Sequence, residues 1–153
     1  MKRSFEIMME REKHKIILIA DLERTINRVF NNREEVLLGY LYGSYNLGNK
    51  TEFSDIDIGI ILDKSFKKHY LYQVDLSLEI EKEFVNKIEI DLCILNDATP
   101  RFLYNIIKNG RIIHSKDKTV QHEFEIRVLY DYLEIKPLLD MYDKITIMDV
   151  LKD

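Results

Sequence analysis

Leu41-Tyr42-Gly43-Ser44-Tyr45-Asn46-Leu47-Gly48-Asn49-Lys50-Thr51-Glu52-Phe53-Ser54-Asp55-Ile56-Asp57 decides how this chain is read. A Gly-Ser turn is followed by ten residues and then by two aspartates with one isoleucine between them. The apolar run from Val36 to Tyr42, broken only by Gly39, predicts a buried strand that stops at Gly43. Glycine there can adopt backbone angles that other residues resist and lets a ligand come close to the main chain. Ser44 adds a hydroxyl beside the free N–H groups of a short following helix that stops at Gly48, a seat for phosphate oxygens. Asp55-Ile56-Asp57-Ile58-Gly59-Ile60-Ile61-Leu62 alternates and then becomes wholly apolar, as a strand entering a core does. Side chains two apart on a strand share a face, so Asp55 and Asp57 point the same way. Two carboxylates beside a phosphate-binding turn supply the hard oxygen ligands that divalent magnesium prefers.

Upstream, residues 2–32 read as one helix, with Ile19, Leu22, Ile26 and Val29/Phe30 at helical spacing and Asn31-Asn32 at its end. Downstream, a helix from about Lys68 to Phe84 carries Leu71, Val74 and Leu78 and an acidic face of Glu79, Glu81 and Glu83. Ile88 to Leu95 follows as a third strand, with Glu89, Asp91 and Cys93 on one side and Ile88, Ile90, Leu92 and Ile94 on the other. A carboxylate in mid-strand is either solvent-exposed or part of a metal site with the preceding strand, and periodicity leaves Asp91 and Glu89 equal candidates. Thr99 and Pro100 suit the N-cap and first turn of a helix ending at Asn109-Gly110. Arg111 to His114 is a short strand. Residues 119–143 form a further helical region with Phe124, Val128, Tyr132 and Ile135 on one face, which Pro137 should kink or restart. The apolar tail Ile145–Leu151 either packs back on the core or forms an interface.

At 153 residues the chain is expected to form one domain, with a core of about 35–115. The net charge is −4 and no basic stripe stands out, which argues against long nucleic acid as the main partner. A single cysteine, Cys93, excludes an internal disulfide and fits a reducing compartment; in an apolar strand it is a small core residue. No signal-peptide pattern or membrane-length apolar run is present, so a cytoplasmic location away from the membrane is expected. His14, His69, His114 and His122 lack metal-binding spacing and are expected at the surface or in capping roles. Neither an EF-hand loop nor a P-loop is present.

The Gly-Ser-X10-Asp-X-Asp pattern resembles the signature of the DNA polymerase β nucleotidyltransferase superfamily, and the length and C-terminal segment resemble its minimal branch, the MntA-type antitoxins. The resemblance runs from about Glu35 to Lys144 and implies an α/β (α+β) core, a small mixed sheet flanked by helices, with a C-terminal helical extension. It selects Asp91 as the third carboxylate. It implies that Asp55, Asp57 and Asp91 are catalytic and hold two Mg2+ ions, and that Gly43 and Ser44 anchor the phosphates of ATP. Three such carboxylates repel one another and should hold protons or cations more readily than usual. Members of that branch transfer AMP to a tyrosine of a HEPN-domain ribonuclease toxin, which the resemblance implies as partner. Few residues are left for a separate acceptor-binding domain, which agrees with a macromolecular acceptor. Alternatives are an antitoxin that only masks its toxin by complex formation, and a small-molecule nucleotidyltransferase working as a dimer. A homo-oligomer or hetero-complex through the C-terminal helices and tail is expected. Many relatives carry Arg or Lys where this chain has Leu47, so one phosphate contact is expected to be missing and turnover slow.

Overall fold

A computed structural model describes residues 20–43, 55–84 and 88–151. The first part of the expected N-terminal helix lies outside the described residues, as do Ser44, the short helix to Gly48 and Leu47. The described elements are helix α1 (20–31), strand β1 (Val36–Tyr42), β2 (Ile56–Leu62), helix α2 (Tyr72–Lys82), β3 (Ile90–Ile94), α3 (Pro100–Asn109), β4 (Arg111–Ser115) and α4 (Lys118–Val150). The strands form one mixed sheet in the order β3-β2-β1-β4. β1 runs antiparallel to β2 and β4, and β2 parallel to β3 with α2 in the crossover, the connection a parallel pair needs. The fold is therefore the mixed α/β core expected of a polymerase β-like nucleotidyltransferase.

Alternation along the strands sorts side chains onto two buried faces. Val36, Leu41, Ile58, Ile60 and Leu92 meet Leu22, Ile26 and Phe30 of α1 and Tyr72, Leu76 and Ile80 of α2. Leu38, Tyr40, Ile61 and Leu95 meet Ile106 of α3 and Phe124 and Val128 of α4. Each such aliphatic side chain contributes about 1.5–3 kcal/mol on full burial, so both helical layers are needed to cover a sheet apolar on both sides. Polar ties fix the layers. Tyr40 donates to Glu125 Oε1 of α4 at 3.0 Å, and Tyr72 donates to Glu35 Oε1 at 2.9 Å. The Arg33 guanidinium pairs with both Glu35 and Glu79.

Several local expectations are corrected. In α2 the residues buried are Tyr72, Leu76 and Ile80, while Leu71, Val74 and Leu78 are exposed. Both sets recur at helical spacing, and only the docking against β3 chooses between them. Of the kink or restart expected at Pro137, the restart does not occur, since α4 runs as one helix to Val150. The lost N–H and ring clash are tolerated where the helix is largely solvent-facing. The tail does not pack back: Ile145, Ile147, Met148 and Val150 are all exposed. His114 is buried rather than superficial. Its Nε2–H donates to the Val36 carbonyl at 3.2 Å, and burial lowers its pKa from the ordinary 6.5. His69 and His122 are exposed, as expected, and His14 lies outside the described residues. Thr99 caps α3 as expected, accepting from the Phe102 N–H at 3.4 Å, and the helix gives way to β4 at Gly110.

Candidate active site

The end of β1 and the beginnings of β2 and β3 lie side by side, because β1 is antiparallel to β2 while β3 is parallel to it. Three ladder partners meet there: Tyr42 opposite Asp57, and Asp57 opposite Asp91. Residues paired in this way project to the same face, from strands about 4.8 Å apart. The register is held beyond the strand ends by the Ile56 N–H donating to the Glu89 carbonyl at 2.9 Å, and at the far end by Leu95 N–H donating to Ile60 O at 2.8 Å. Asp91 is thus the strand-three carboxylate level with Asp57. Glu89 falls before the first residue of β3 and is exposed there. The ambiguity between Asp91 and Glu89 is one of register.

Gly43 follows Tyr42 directly and has φ +73°, in the left-handed region that glycine tolerates. A Cβ at that position would lie 2.8 Å from Asp57 Cγ and overlap Oδ2 outright. The backbone of the turn therefore passes against the Asp57 carboxylate, and glycine is what makes the approach possible. On the same face two residues further into the sheet, Gly59 leaves room for Leu95, whose Cδ1 would be 2.5 Å from any Cβ there. Leu95 fills the face at that point.

Asp57 is half-buried and Asp55 and Asp91 are exposed. Burial, followed by the negative charges of Asp91 and Asp55, raises the Asp57 pKa above its ordinary 3.8. Mutual repulsion of this kind is what the sequence leads one to expect from clustered carboxylates, and a bound cation would relieve it. Asp55 stands one residue before β2. Among the described residues no three His, Cys, Asp or Glu side chains converge on one ion position. The donor set is nevertheless all carboxylate oxygen, which suits a hard divalent cation such as magnesium.

Tyr42 was not a sequence candidate. Its hydroxyl lies near Cys93, and its pKa is raised by burial, then by Cys93, Asp57 and Asp91. Its ring meets Phe102 of α3 edge to face with centroids 5.7 Å apart. The phenol of β1 thus comes near groups of both β2 and β3. Cys93 is partly buried against the α3 side of the sheet, as a small core residue, and burial and Asp91 push its thiol pKa up. Cys93 could be read from the alternation with Asp91; nothing local to β1 reveals that Tyr42 reaches β3.

The family model described as polymerase beta, nucleotidyltransferase matches residues 24–119, which include Gly43 and all three aspartates. None of the curated proteins matches the chain. Among solved structures, the chain is similar to a crystal structure of a toxin-antitoxin with AMP-PNP, at 18% identity and a TM-score of 0.64, covering 86% of this chain and 98% of that one. It is also similar to a tri-AMPylated Shewanella oneidensis HEPN toxin in complex with MNT antitoxin, at 17% identity and a TM-score of 0.59, over 86% and 97% of the two chains. A crystal structure of the toxin-antitoxin MntA-HepT gives 16% identity and a TM-score of 0.59 over the same shares. At these identities the likeness is one of fold.

Proposed function

The chain belongs to the polymerase beta nucleotidyltransferase family, and on that premise we propose that it is a magnesium-dependent protein adenylyltransferase, the antitoxin partner of a HEPN-type ribonuclease toxin. The observation that carries the catalytic reading is the pairing of Asp57 with Asp91 across parallel strands, with Gly43 backed against the Asp57 carboxylate. The similar solved structures, which include a toxin-antitoxin with AMP-PNP and an AMPylated HEPN toxin held by its antitoxin, support the choice of nucleotide and acceptor.

In this reading Asp55, Asp57 and Asp91 hold divalent magnesium, whose charge when bound makes an acceptor hydroxyl easier to ionise and neutralises triphosphate oxygens. Gly43 and Ser44 anchor the phosphates, since a glycine with positive φ keeps side-chain bulk away from the approaching anion. The acceptor tyrosine oxygen attacks the α-phosphorus of ATP. The new bond is O–P, the bond broken is the α–β anhydride, and pyrophosphate leaves. Asp91, exposed at the rim, receives the hydroxyl proton. Asp57, half-buried between Tyr42 and Asp91, supplies the fixed charge that orients both partners.

The test is incubation of the purified protein with magnesium, ATP and its HEPN-type partner. Covalent AMP on a tyrosine of the partner, absent for Asp57→Ala, is the expected result. Neutralisation of the toxin that survives Asp57→Ala would show a masking antitoxin, and modification of a metabolite with no protein acceptor would show a small-molecule enzyme.

A further inference from the structure

α4 extends well past the sheet. Its inner face is tied down by Phe124 and Val128, then by Tyr132 stacked on Tyr104 of α3 with centroids 3.9 Å apart, and last by Asp143 paired with Arg101 at 3.2 Å. The opposite face is left open. At 100° per residue, Ile126, Tyr130, Leu133, Pro137, Met141 and Met148 fall within about 60° of one line along the helix. They form a straight stripe, with Ile126, Tyr130, Leu133, Met141 and Met148 all at least 50% exposed. Beside its near end lies a groove of about 330 Å³ between α3 and α4, lined by Tyr104, Ile107, Lys108, Glu125, Ile126 and Leu129. At its far end Ile147, Val150 and Leu151 are open on further sides of the helix. A helix segment apolar around most of its circumference is one that another surface encloses.

We propose that this face is a two-fold interface between copies of this chain, with α4 of one protomer packed antiparallel on α4 of its partner. The pattern is self-complementary. A dyad at residue 139 sets Tyr130 against Met148 and Pro137 against Met141 of the second copy. The same dyad brings Lys144, the one cation on the stripe, opposite Glu134. Among the described residues neither makes an ion pair within its own chain, whereas the neighbouring Lys136–Asp140 and Arg101–Asp143 pairs are satisfied internally. It also brings Ile147–Leu151 of each copy to the groove beside Ile126 and Leu129 of the other. The area suffices: half-exposed side chains of this size each offer roughly 50–100 Å². The eight or so nearest the stripe therefore reach on the order of 400–800 Å² per copy, whose upper end meets the about 800 Å² per partner of a stable interface. None of Asp55, Asp57 and Asp91 is on α4, so dimerisation does not depend on the transferase reading.

Sedimentation velocity on the full chain at micromolar concentration tests this. A mass twice that of the chain is expected, falling to a monomer in Leu133→Glu and Met141→Glu that keeps the parent's far-UV circular dichroism, because both side chains face solvent within one protomer. Asp57→Asn should remain a dimer. In a Cys93→Ala background the double variant E134C/K144C should form an intermolecular disulfide under mild oxidation, which a parallel or displaced packing would not allow. A monomeric parent, a dimer that persists in both glutamate variants, a dimer that does not cross-link, or a monomer that covers the stripe only when a HEPN-type protein is added would each overturn the inference.

Discussion

Gly43→Ala separates the two things asked of that residue. The first is conformational. At φ +73° an L side chain costs about 1–2 kcal/mol relative to glycine. In a chain of this size that corresponds to a melting temperature lower by roughly 2–8 °C, from about 2–4 °C per kcal/mol. The second is steric. The added methyl would overlap Asp57 Oδ2 and sit 2.8 Å from Cγ, so the carboxylate must move or the turn must open. A displacement of about 1 Å at a reacting centre is worth about 100-fold in rate. Adenylyl transfer from ATP is therefore expected to fall about 100-fold, with a melting loss too small to account for it. The partition is checked by a double-mutant cycle in an Asp57→Gly background, where only the conformational cost should remain. Melting is followed by calorimetry and transfer by radiolabelled AMP incorporation. A Gly43→Ala protein with unchanged transfer, or a cycle with no coupling between positions 43 and 57, would refute the placement of the turn against the carboxylate.

Three further outcomes follow from the polar groups. Burial and the charges of Asp91 and Asp55 raise the Asp57 pKa, so the folded state loses stability as pH rises from 3.8 through that higher value and the ionised carboxylate opposes folding at neutral pH. Asp57→Asn should then melt slightly above the parent in EDTA at pH 7.5 and lose most of the rise that magnesium gives the parent; an equal magnesium shift in both proteins would contradict this. His114 is held neutral, and its lowered pKa means the unfolded chain binds the proton first as pH falls. Stability should be level above about pH 7 and decline below the ordinary value of 6.5, and His114→Gln should flatten that decline in thermal melts across pH. Tyr40→Phe removes a 3.0 Å hydrogen bond to Glu125, which keeps a second donor in Gln121 Nε2 at 2.9 Å. The cost should be about 0.5–1.5 kcal/mol, read from the urea midpoint at unchanged slope; a larger loss would mean that Gln121 does not satisfy the carboxylate.

Much of the site was legible because its parts are local. The stop at Gly43, the alternation through Asp55 and Asp57, the N-cap at Thr99 and the end of α3 at Gly110 all follow from single-residue chemistry and strand or helix period. Errors came where two local patterns were equally good. Leu71, Val74 and Leu78 made as plausible an inner face for α2 as Tyr72, Leu76 and Ile80. His114 looked like a surface histidine until the β1–β4 pairing carried it beneath Phe30, with ring centroids 5.7 Å apart.

What the sequence determined by itself was the inventory: a glycine where the chain must turn, two aspartates on one face, and strands apolar enough to be buried on both sides. Which acid in the third strand stands beside that pair was decided only by the parallel β2–β3 register, and the place of Tyr42 opposite Asp57 only by the antiparallel β1–β2 register. Alternation is a property of one strand, whereas neighbourhood across strands is set by which backbone groups exchange hydrogen bonds. The same division holds for α4, whose apolar residues the sequence displays on several sides, and whose uncovered side is the one facing away from the sheet and α3.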